Sequence, residues 1–144
     1  MPGTFILQYP DNANVYYTYN AAGQIVAVED TPQQAGNFYI RDVDYNAQGQ
    51  ITKIDYGNGT STTYAYDPST LRLRNITTVN SQFVPVQDLS YTYDSAGNII
   101  TITDHVNTAT QRFEYDALNR LVVGRGGYGA KVYSYDQIGN ITQK

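Results

Sequence analysis

The sequence predicts an all-β fold, built as an antiparallel meander of β-hairpins. Three observations predict it. The chain is rich in strand-forming aromatic residues, with 15 Tyr and 4 Phe among 144 residues. Glycine, asparagine and aspartate, which favour tight turns, are frequent and regularly placed. A short hairpin motif recurs six times, whereas no window shows the 3.6-residue apolar period of a helix.

The motif combines an alternating strand with a turn and a return strand. Its copies read YTYNAAGQI from Tyr17, VDYNAQGQI from Val43, YAYDPSTLRL from Tyr64, YTYDSAGNI from Tyr91, FEYDALNRL from Phe113 and YSYDQIGNI from Tyr133. The copies are 20 to 27 residues apart. Hairpins whose outer loops differ in length give such variation, while the coils of a solenoid keep a tighter period.

The first and third residues of each copy share one face of a strand, because side chains alternate along a strand. They are aromatic in every copy except at Val43, and they are Tyr17 and Tyr19, Tyr45, Tyr64 and Tyr66, Tyr91 and Tyr93, Phe113 and Tyr115, and Tyr133 and Tyr135. We expect these rings to stack across strands, which contributes roughly 0.2–1 kcal/mol per pair. The alternative is that the rings stack on sugars.

The residue after this strand has a short side chain whose oxygen can accept hydrogen bonds from backbone N–H groups and close a turn. These residues are Asn20, Asn46, Asp67, Asp94, Asp116 and Asp136. Three positions later comes a residue that tolerates a left-handed backbone: Gly23, Gly49, Gly97, Asn119 and Gly139. The third copy departs from this pattern. Its loop is one residue longer, with Leu71 in place of glycine.

Further turns are expected between the copies. They fall at residues 10–13, 36–37 and 57–59, and more loosely near 80–81, 105–108 and 125–127. About a dozen strands result, in a single domain over residues 1–144 without a linker. The outer strands, near residues 4–9 and 141–144, are expected to be open edges, with Pro2, Pro10 and Lys144 as partial guards.

Composition excludes several classes of function. The net charge is −4 and no basic cluster is present, so we expect no nucleic-acid partner. The absence of cysteine excludes disulfides and thiolate metal sites. No apolar run reaches the roughly 18 residues of a membrane span, and no signal peptide is visible in the sequence. No cofactor is expected.

No group of residues makes a convincing catalytic site. The turn aspartates occur once per repeat, which indicates hairpin caps, not acid–base pairs. Gly124, Gly126 and Gly129 have the spacing of a dinucleotide-binding loop but precede a predicted strand. The one histidine, His105, lies in a predicted turn. Three glycosylation sequons begin at Asn58, Asn75 and Asn140.

The aligned copies resemble the RHS family, also called YD repeats, whose motif is Tyr-Asp-x-x-Gly-(Asn/Arg)-(Leu/Ile). The strings YGNGTSTTYAYDP from Tyr56 and FEYDALNRLVVGRGGYGAKVYSYDQIGNI from Phe113 carry the resemblance, which extends over residues 4–144. Similar proteins include C components of bacterial toxin complexes, polymorphic toxins and teneurins. In these the repeats form a strip of sheet that spirals into a hollow shell, often around a toxic cargo. Several members also cleave themselves through an aspartyl autoproteolytic segment.

The resemblance implies a curved or spiralling sheet that is a fragment of a longer, secreted or surface-delivered bacterial shell. The shell-closing motif Asp-Pro-x-Gly-Leu-Arg does not occur here, and neither does a toxin domain, so we expect a structural segment and no enzyme. Its partners would be further YD repeats, a second copy of the chain in a homo-oligomer, or a polypeptide cargo. The alternative function is a cell-surface module that binds glycans.

Overall fold

The fold is all-β and antiparallel, as the sequence predicts. The computed structural model describes residues 3–30 and 37–143, and no helix occurs within those ranges. The strands are β1 Gly3–Gln8, β2 Asn14–Tyr19, β3 Ile25–Glu29, β4 Phe38–Tyr45, β5 Ile51–Tyr56, β6 Ser61–Tyr66, β7 Leu73–Val79, β8 Pro85–Tyr93, β9 Ile99–Asp104, β10 Ala109–Tyr115, β11 Leu121–Gly126, β12 Gly129–Val132, β13 Ser134–Tyr135 and β14 Ile141–Gln143.

The strands follow one another in chain order. Strands β1 to β12 succeed each other in one sheet, and β13 pairs with β14. Contacts group the chain into two compact units. The first comprises residues 1–65 and 77–86, and the second comprises residues 66–76 and 87–144. That residues 1–144 fold as one cooperative domain stays a prediction.

The repeat turns share one hydrogen-bonding frame of five residues. In the first, the Asn20 N–H donates to the Gln24 carbonyl at 2.9 Å, and the Gly23 N–H donates to the Asn20 carbonyl at 3.0 Å. The Asn20 side-chain oxygen accepts from the N–H groups of Ala22 and Gln24. Gly23 has φ +77°, a left-handed conformation that costs glycine little. The sequence thus forms the turn with local bonds alone.

The opposite turns of the meander use the same frame. Asn80 accepts from the N–H groups of Gln82 and Val84, although Phe83 occupies the left-handed position at φ +61°. The turns at residues 10–13 and 57–59 also close in this way. In the third repeat the loop is one residue longer, and Leu71 takes the left-handed conformation at φ +58°. The expected turn at 36–37 extends beyond the described residues.

Every repeat whose hairpin pairing is described contains a β-bulge at the second aromatic. Thr18 lies opposite Ala27, but Tyr19 lies opposite Ile25, so Val26 is an extra residue on the return strand. The register shifts in the same way at Tyr45, Tyr93, Tyr115 and Tyr135. Bulges interrupt the ladder and redirect neighbouring groups. The five equivalent bulges therefore interrupt the ladder at the same position relative to the turn in each of these repeats.

Two expectations about the last hairpins need correction. The turn expected near residues 125–127 lies at Gly127 and Tyr128, because Gly126 pairs with Gly129. The last hairpin is also separate from the long sheet, since Tyr133 belongs to no strand. Its N–H donates to the Val122 carbonyl at 2.9 Å and so continues the register of β12 on β11.

One of the two expected sheet edges lies where the sequence predicts it, and the other differs. Strand β1 is an exposed edge that pairs with β2 alone, as predicted. At the other end the twelve-stranded sheet ends with β12, while β14 pairs with β13. Pro2 and Lys144, expected to guard these edges, lie outside the described residues. Pro10 lies in the turn that follows β1.

Few side chains are buried. Among the described residues, only Val28 and Val43 are buried apolar side chains, at 8% and 6% exposure. The repeat aromatics are half-buried, and intervening residues such as Thr92 and Glu114 are exposed. The alternation expected from the sequence is present in four copies, whereas Thr18 and Ser134 are half-buried like the aromatics beside them. With so small a core, bonds between neighbouring hairpins must supply much of the specificity of the fold.

Candidate functional site

A row of tyrosine hydroxyls joins successive repeats. We call it the tyrosine seam. Its four described bonds run from the hydroxyls of Tyr45, Tyr93, Tyr115 and Tyr135 to the main-chain carbonyls of Ile25, Leu73, Ile99 and Leu121, at 2.7, 2.7, 2.9 and 2.7 Å respectively. In each bond the donor is the second aromatic of one repeat. The acceptor is the first residue of the return strand in the preceding repeat.

The acceptor carbonyls lie where the ladder between repeats has ended. Between β9 and β10 the last pair is Thr101 with Arg112, so the Ile99 carbonyl lies beyond the ladder. The Tyr115 hydroxyl supplies the missing donor. A buried carbonyl without a partner would cost about 1–3 kcal/mol. The hydroxyl therefore extends the pairing of the repeats past the point where their backbones separate.

Partial burial favours the form of tyrosine that can donate. Burial raises the pKa of the Tyr45, Tyr93 and Tyr115 hydroxyls above the ordinary value. A neutral hydroxyl donates a hydrogen bond, whereas a phenolate only accepts. Burial therefore favours the donor form of these three hydroxyls.

The seam was missed at the level of sequence, although the sequence contains a signal for it. The second aromatic is tyrosine in all six copies, while the first position accepts Val43 and Phe113. Ring stacking alone would tolerate phenylalanine at either position. A strict requirement for the hydroxyl indicates a hydrogen bond with a fixed acceptor.

Two arginines strengthen the contact between repeats. The Arg72 guanidinium lies 5.6 Å from the ring centre of Tyr93 and donates to the Asp94 carbonyl at 3.1 Å. In the same way, the Arg120 guanidinium lies 4.6 Å from the ring centre of Tyr135 and donates to the Asp136 carbonyl at 3.4 Å. Each arginine covers the ring of a seam tyrosine in the following repeat. Cation–π contacts of this kind contribute about 0.5–1 kcal/mol at exposed positions.

The first and fifth positions of the five-residue repeat turns have complementary side chains. Asn20 donates through its amide to Gln24, and Asn46 pairs with Gln50 in the same way. Where the first residue is acidic, the fifth is a donor. It is asparagine after Asp94 and Asp136, and arginine after Asp116. This pairing, also missed from the sequence, closes each turn with a second, side-chain bond.

The turn carboxylates are poor candidates for acid–base chemistry. Donation from the Asn98 side chain lowers the pKa of Asp94, and donation from the Asn140 side chain lowers that of Asp136. Backbone N–H groups act likewise on Asp67 and Asp116. A general acid at neutral pH needs a raised pKa. These groups are ionised caps held by their own turns.

The pKa of Asp94 leads to a prediction about acid stability. Its folded value is below the unfolded value of 3.8, so its contribution is present above pH 3.8 and is lost as the pH falls through the folded value. We expect Asp94→Asn to fold normally at pH 7, because Asn20 and Asn46 form the same turn. The variant should lose less stability between pH 7 and pH 3. Urea midpoints at both pH values measure this, and equal losses in the two proteins would contradict it.

A second prediction concerns the seam hydroxyl. Tyr93→Phe removes the donor to the Leu73 carbonyl and should cost about 1–1.5 kcal/mol in the free energy of unfolding. Tyr19→Phe is the matched control, since the Tyr19 hydroxyl makes no hydrogen bond within the described part of the chain. Urea denaturation of both variants provides the comparison. Equal midpoints for the two would show that the hydroxyl bond contributes nothing net.

The remaining candidates do not form a site. His105 is exposed in its turn, where its Nε2 lies 2.9 Å from the Ser90 hydroxyl. Gly124, Gly126 and Gly129 belong to the β11–β12 hairpin and open no helix. Residues 3–30 and 37–143 contain no cluster of side chains suited to a metal ion. Over the same ranges, no helix is long and apolar enough to cross a membrane.

Comparison with known proteins identifies the family to which the repeat pattern belongs. The family model for the RHS repeat matches residues 45–82 and 93–128, about half of the chain. Among curated proteins, the toxin subunit YenC1 of Yersinia entomophaga is 33% identical over an alignment of 102 residues that covers 60% of this chain and 10% of YenC1.

Solved structures agree with this match. The structure of the Photorhabdus luminescens Tc holotoxin pore with a mutation in TccC3 superposes with a TM-score of 0.84 and 26% identity, over 96% of this chain and 8% of that chain. The crystal structure of TcdB2-TccC3-TEV gives a TM-score of 0.83 and 25% identity over the same shares. The chain thus spans about a tenth of the length of the relatives it matches.

Proposed function

Because the chain belongs to the RHS repeat family and is a structural repeat segment, we propose that it forms part of the wall of a β-shell. That shell would enclose or scaffold a toxin or another polypeptide cargo. The observation that carries the proposal is the tyrosine seam. Each of its four described bonds fastens a hairpin to the one before it, so these hairpins are joined edge to edge along the chain. A wall around a cavity needs this property.

The surface of the sheet supports the same proposal. Phe5, Ile6 and Leu7 are 39–58% exposed on β1, and further large apolar side chains are exposed at the turns and strand ends. Exposed apolar surface on a sheet usually marks an interface. In a shell, such surface would face neighbouring repeats or an unfolded cargo.

A chimera tests the proposal. The segment of YenC1 that matches this chain is replaced by the chain, and the protease protection of any polypeptide that the toxin subunit encloses is measured. We expect protection comparable to that of the natural subunit. A subunit from which the segment has been deleted is the control. Digestion as rapid as in the deletion would overturn the proposal.

The open edge of β1 predicts self-association when no further repeats are present. All six residues of β1 are exposed and unguarded by charge, so a second copy can add to the edge as a strand. Multi-angle light scattering should show a dimer at high micromolar concentration, and Ile6→Lys should shift it towards monomer. A monomeric mass at all concentrations would contradict edge pairing.

We also propose that the chain has no hydrolytic or self-cleaving activity and acts outside the cell that makes it, as a secreted or surface-delivered bacterial protein. The lowered pKa values of the turn aspartates support the first point. Mass spectrometry of the purified chain after long incubation tests it. A discrete fragment that disappears when one aspartate is changed to asparagine would overturn it.

The alternative of a glycan-binding sheet finds less support at the repeat aromatics. Four of their hydroxyls already donate to carbonyls, and the rings of Tyr93 and Tyr135 are covered by arginine. A glycan array with the purified chain distinguishes the two functions. Binding that is lost in Tyr64→Leu or Tyr91→Leu would favour the glycan module.

A further inference from the structure

A small pocket in the first unit contains three tyrosines and a carboxylate. Its cavity measures about 400 Å³, within the range of small-molecule sites. Tyr9, Tyr17 and Tyr39 surround it, and Asp11 lies on its wall. Ala13, Val15 and the buried Val28 are the other described residues of the lining. The pocket lies apart from the tyrosine seam and uses none of its bonds.

Local structure brings these residues together. Ala13, Val15 and Tyr17 alternate along the turn and β2, so they share a face, and Tyr17 is paired with Val28 on β3. Between β3 and β4, Val28 lies opposite Ile40 and Glu29 lies opposite Phe38. Tyr39 of β4 is therefore an extra residue in a bulge. A bulge redirects a side chain. It explains how Tyr39 comes to line a pocket whose floor is Val28.

The carboxylate is not required by the turn that holds it. Asp11 accepts the Ala13 N–H at 3.0 Å, and at the equivalent place in the turn before β6 Asn58 accepts the Thr60 N–H at the same distance. A neutral amide therefore closes this turn equally well. In that second hairpin the position equivalent to Val15 is Thr62, which is buried and bonded to Thr78. The acidic and aromatic combination is particular to the first hairpin.

From this combination we infer that the pocket binds a small organic cation with a quaternary ammonium group, of the kind carried by choline. Tyrosine ring faces attract such cations, and aromatic cages are a recurrent way of binding them. Asp11 adds a full negative charge on the wall, in a chain of net charge −4. Tyr9 and Tyr39 are 46% and 55% exposed, so the rim is open to a ligand.

A neutral sugar suits the same lining less well. Sugar hydroxyls need donors as well as acceptors. Among the described side chains of the lining only the tyrosine hydroxyls can donate, since the carboxylate accepts and the rest are apolar. The charge of Asp11 favours a cation over a neutral ring.

Titration of the ¹⁵N-labelled chain with tetramethylammonium and with choline, followed by NMR, tests the inference. Shifts should be confined to the amides near residues 9–17, 28 and 39, with a dissociation constant of the order of millimolar. The neutral isostere 3,3-dimethylbutan-1-ol should bind at least about fivefold more weakly. Sedimentation with vesicles of a choline lipid shows which form of the cation is bound. Co-sedimentation of the chain with the vesicles points to a lipid headgroup, and its absence points to a free cation.

Variants separate the contributions of ring and charge. Tyr39→Leu should weaken binding about three- to fivefold, and Tyr39→Phe should restore it because the ring face is retained. Asp11→Asn should weaken binding by a similar factor without affecting the turn, since Asn58 shows that asparagine fits. Tyr128→Leu, a change at a similarly exposed tyrosine outside the pocket, is the control. Equal affinity for the neutral isostere, sugar binding at these residues, or shifts unaffected by Tyr39→Leu would overturn the inference.

Discussion

Replacement of Gly57 by alanine is expected to destabilise the first unit by about 3 kcal/mol or more. A Cβ atom at this position would lie 1.4 Å from the carbonyl oxygen of Phe38 and 2.5 Å from its carbon. Both are backbone atoms, so no side-chain rotation relieves the overlap. The Gly57 N–H also donates to the Tyr39 carbonyl at 3.1 Å, and that bond would be strained as the two segments separate.

Chemical denaturation measures the effect, with Gly127→Ala as the control. Gly127 also lies in a hairpin turn, but a Cβ atom there would meet nothing within 4 Å. That substitution should be close to neutral, since it mainly restricts the unfolded chain. A Gly57→Ala variant as stable as Gly127→Ala would show that β4 and the turn after β5 do not approach so closely.

Gly97→Val is expected to cost about 3 kcal/mol, for two reasons that add. The backbone at Gly97 has φ +101°, which a β-branched residue adopts only with strain of about 1–3 kcal/mol. In addition, a Cβ atom would lie 2.8 Å from a terminal nitrogen of Arg72. To make room, Arg72 would have to leave the Tyr93 ring and the Asp94 carbonyl.

Gly139→Val isolates the second reason. Gly139 has nearly the same backbone, φ +93°, but its Cβ would meet nothing within 4 Å. We expect it to cost about 1 kcal/mol less than Gly97→Val. Urea denaturation of the two variants gives the difference. An unchanged midpoint and slope for Gly97→Val would mean that Gly97 does not hold this conformation.

The turns could be placed from sequence where their chemistry is local. The bonds that close the turns at residues 20–24 and 94–98 lie within five consecutive residues, so a short window of sequence suffices. Turn positions are harder to predict where the residue type is unusual for the backbone conformation or where several residues fit it equally well. Phe83 occupies a left-handed position that phenylalanine rarely adopts, and four glycines between residues 124 and 129 offered several places for one turn. The turn lies at Gly127 and Tyr128 because pairing of β11 with β12 decides among them.

The seam and the pocket lay beyond prediction for a different reason. The carbonyl that Tyr115 reaches belongs to Ile99, 16 positions earlier, and only the end of the β9–β10 ladder leaves it available. Likewise, Tyr39 lines the pocket because of a bulge in β4, and the sequence of β4 alone does not predict that bulge. Contacts between hairpins depend on register, and register is a property of two strands at once.

The direction of the seam has a consequence for how such chains grow in evolution. Each described bond has its donor in the later repeat and its acceptor in the earlier one. The fourth repeat, with Tyr93 and Ile99, and the fifth, with Tyr115 and Leu121, therefore carry one of each. An in-frame duplication of such a repeat would therefore supply both the tyrosine donor and the carbonyl acceptor of a further bond, and no distant residue would need to change. Gene segments of this kind can lengthen or shorten by unequal recombination while each intermediate stays foldable.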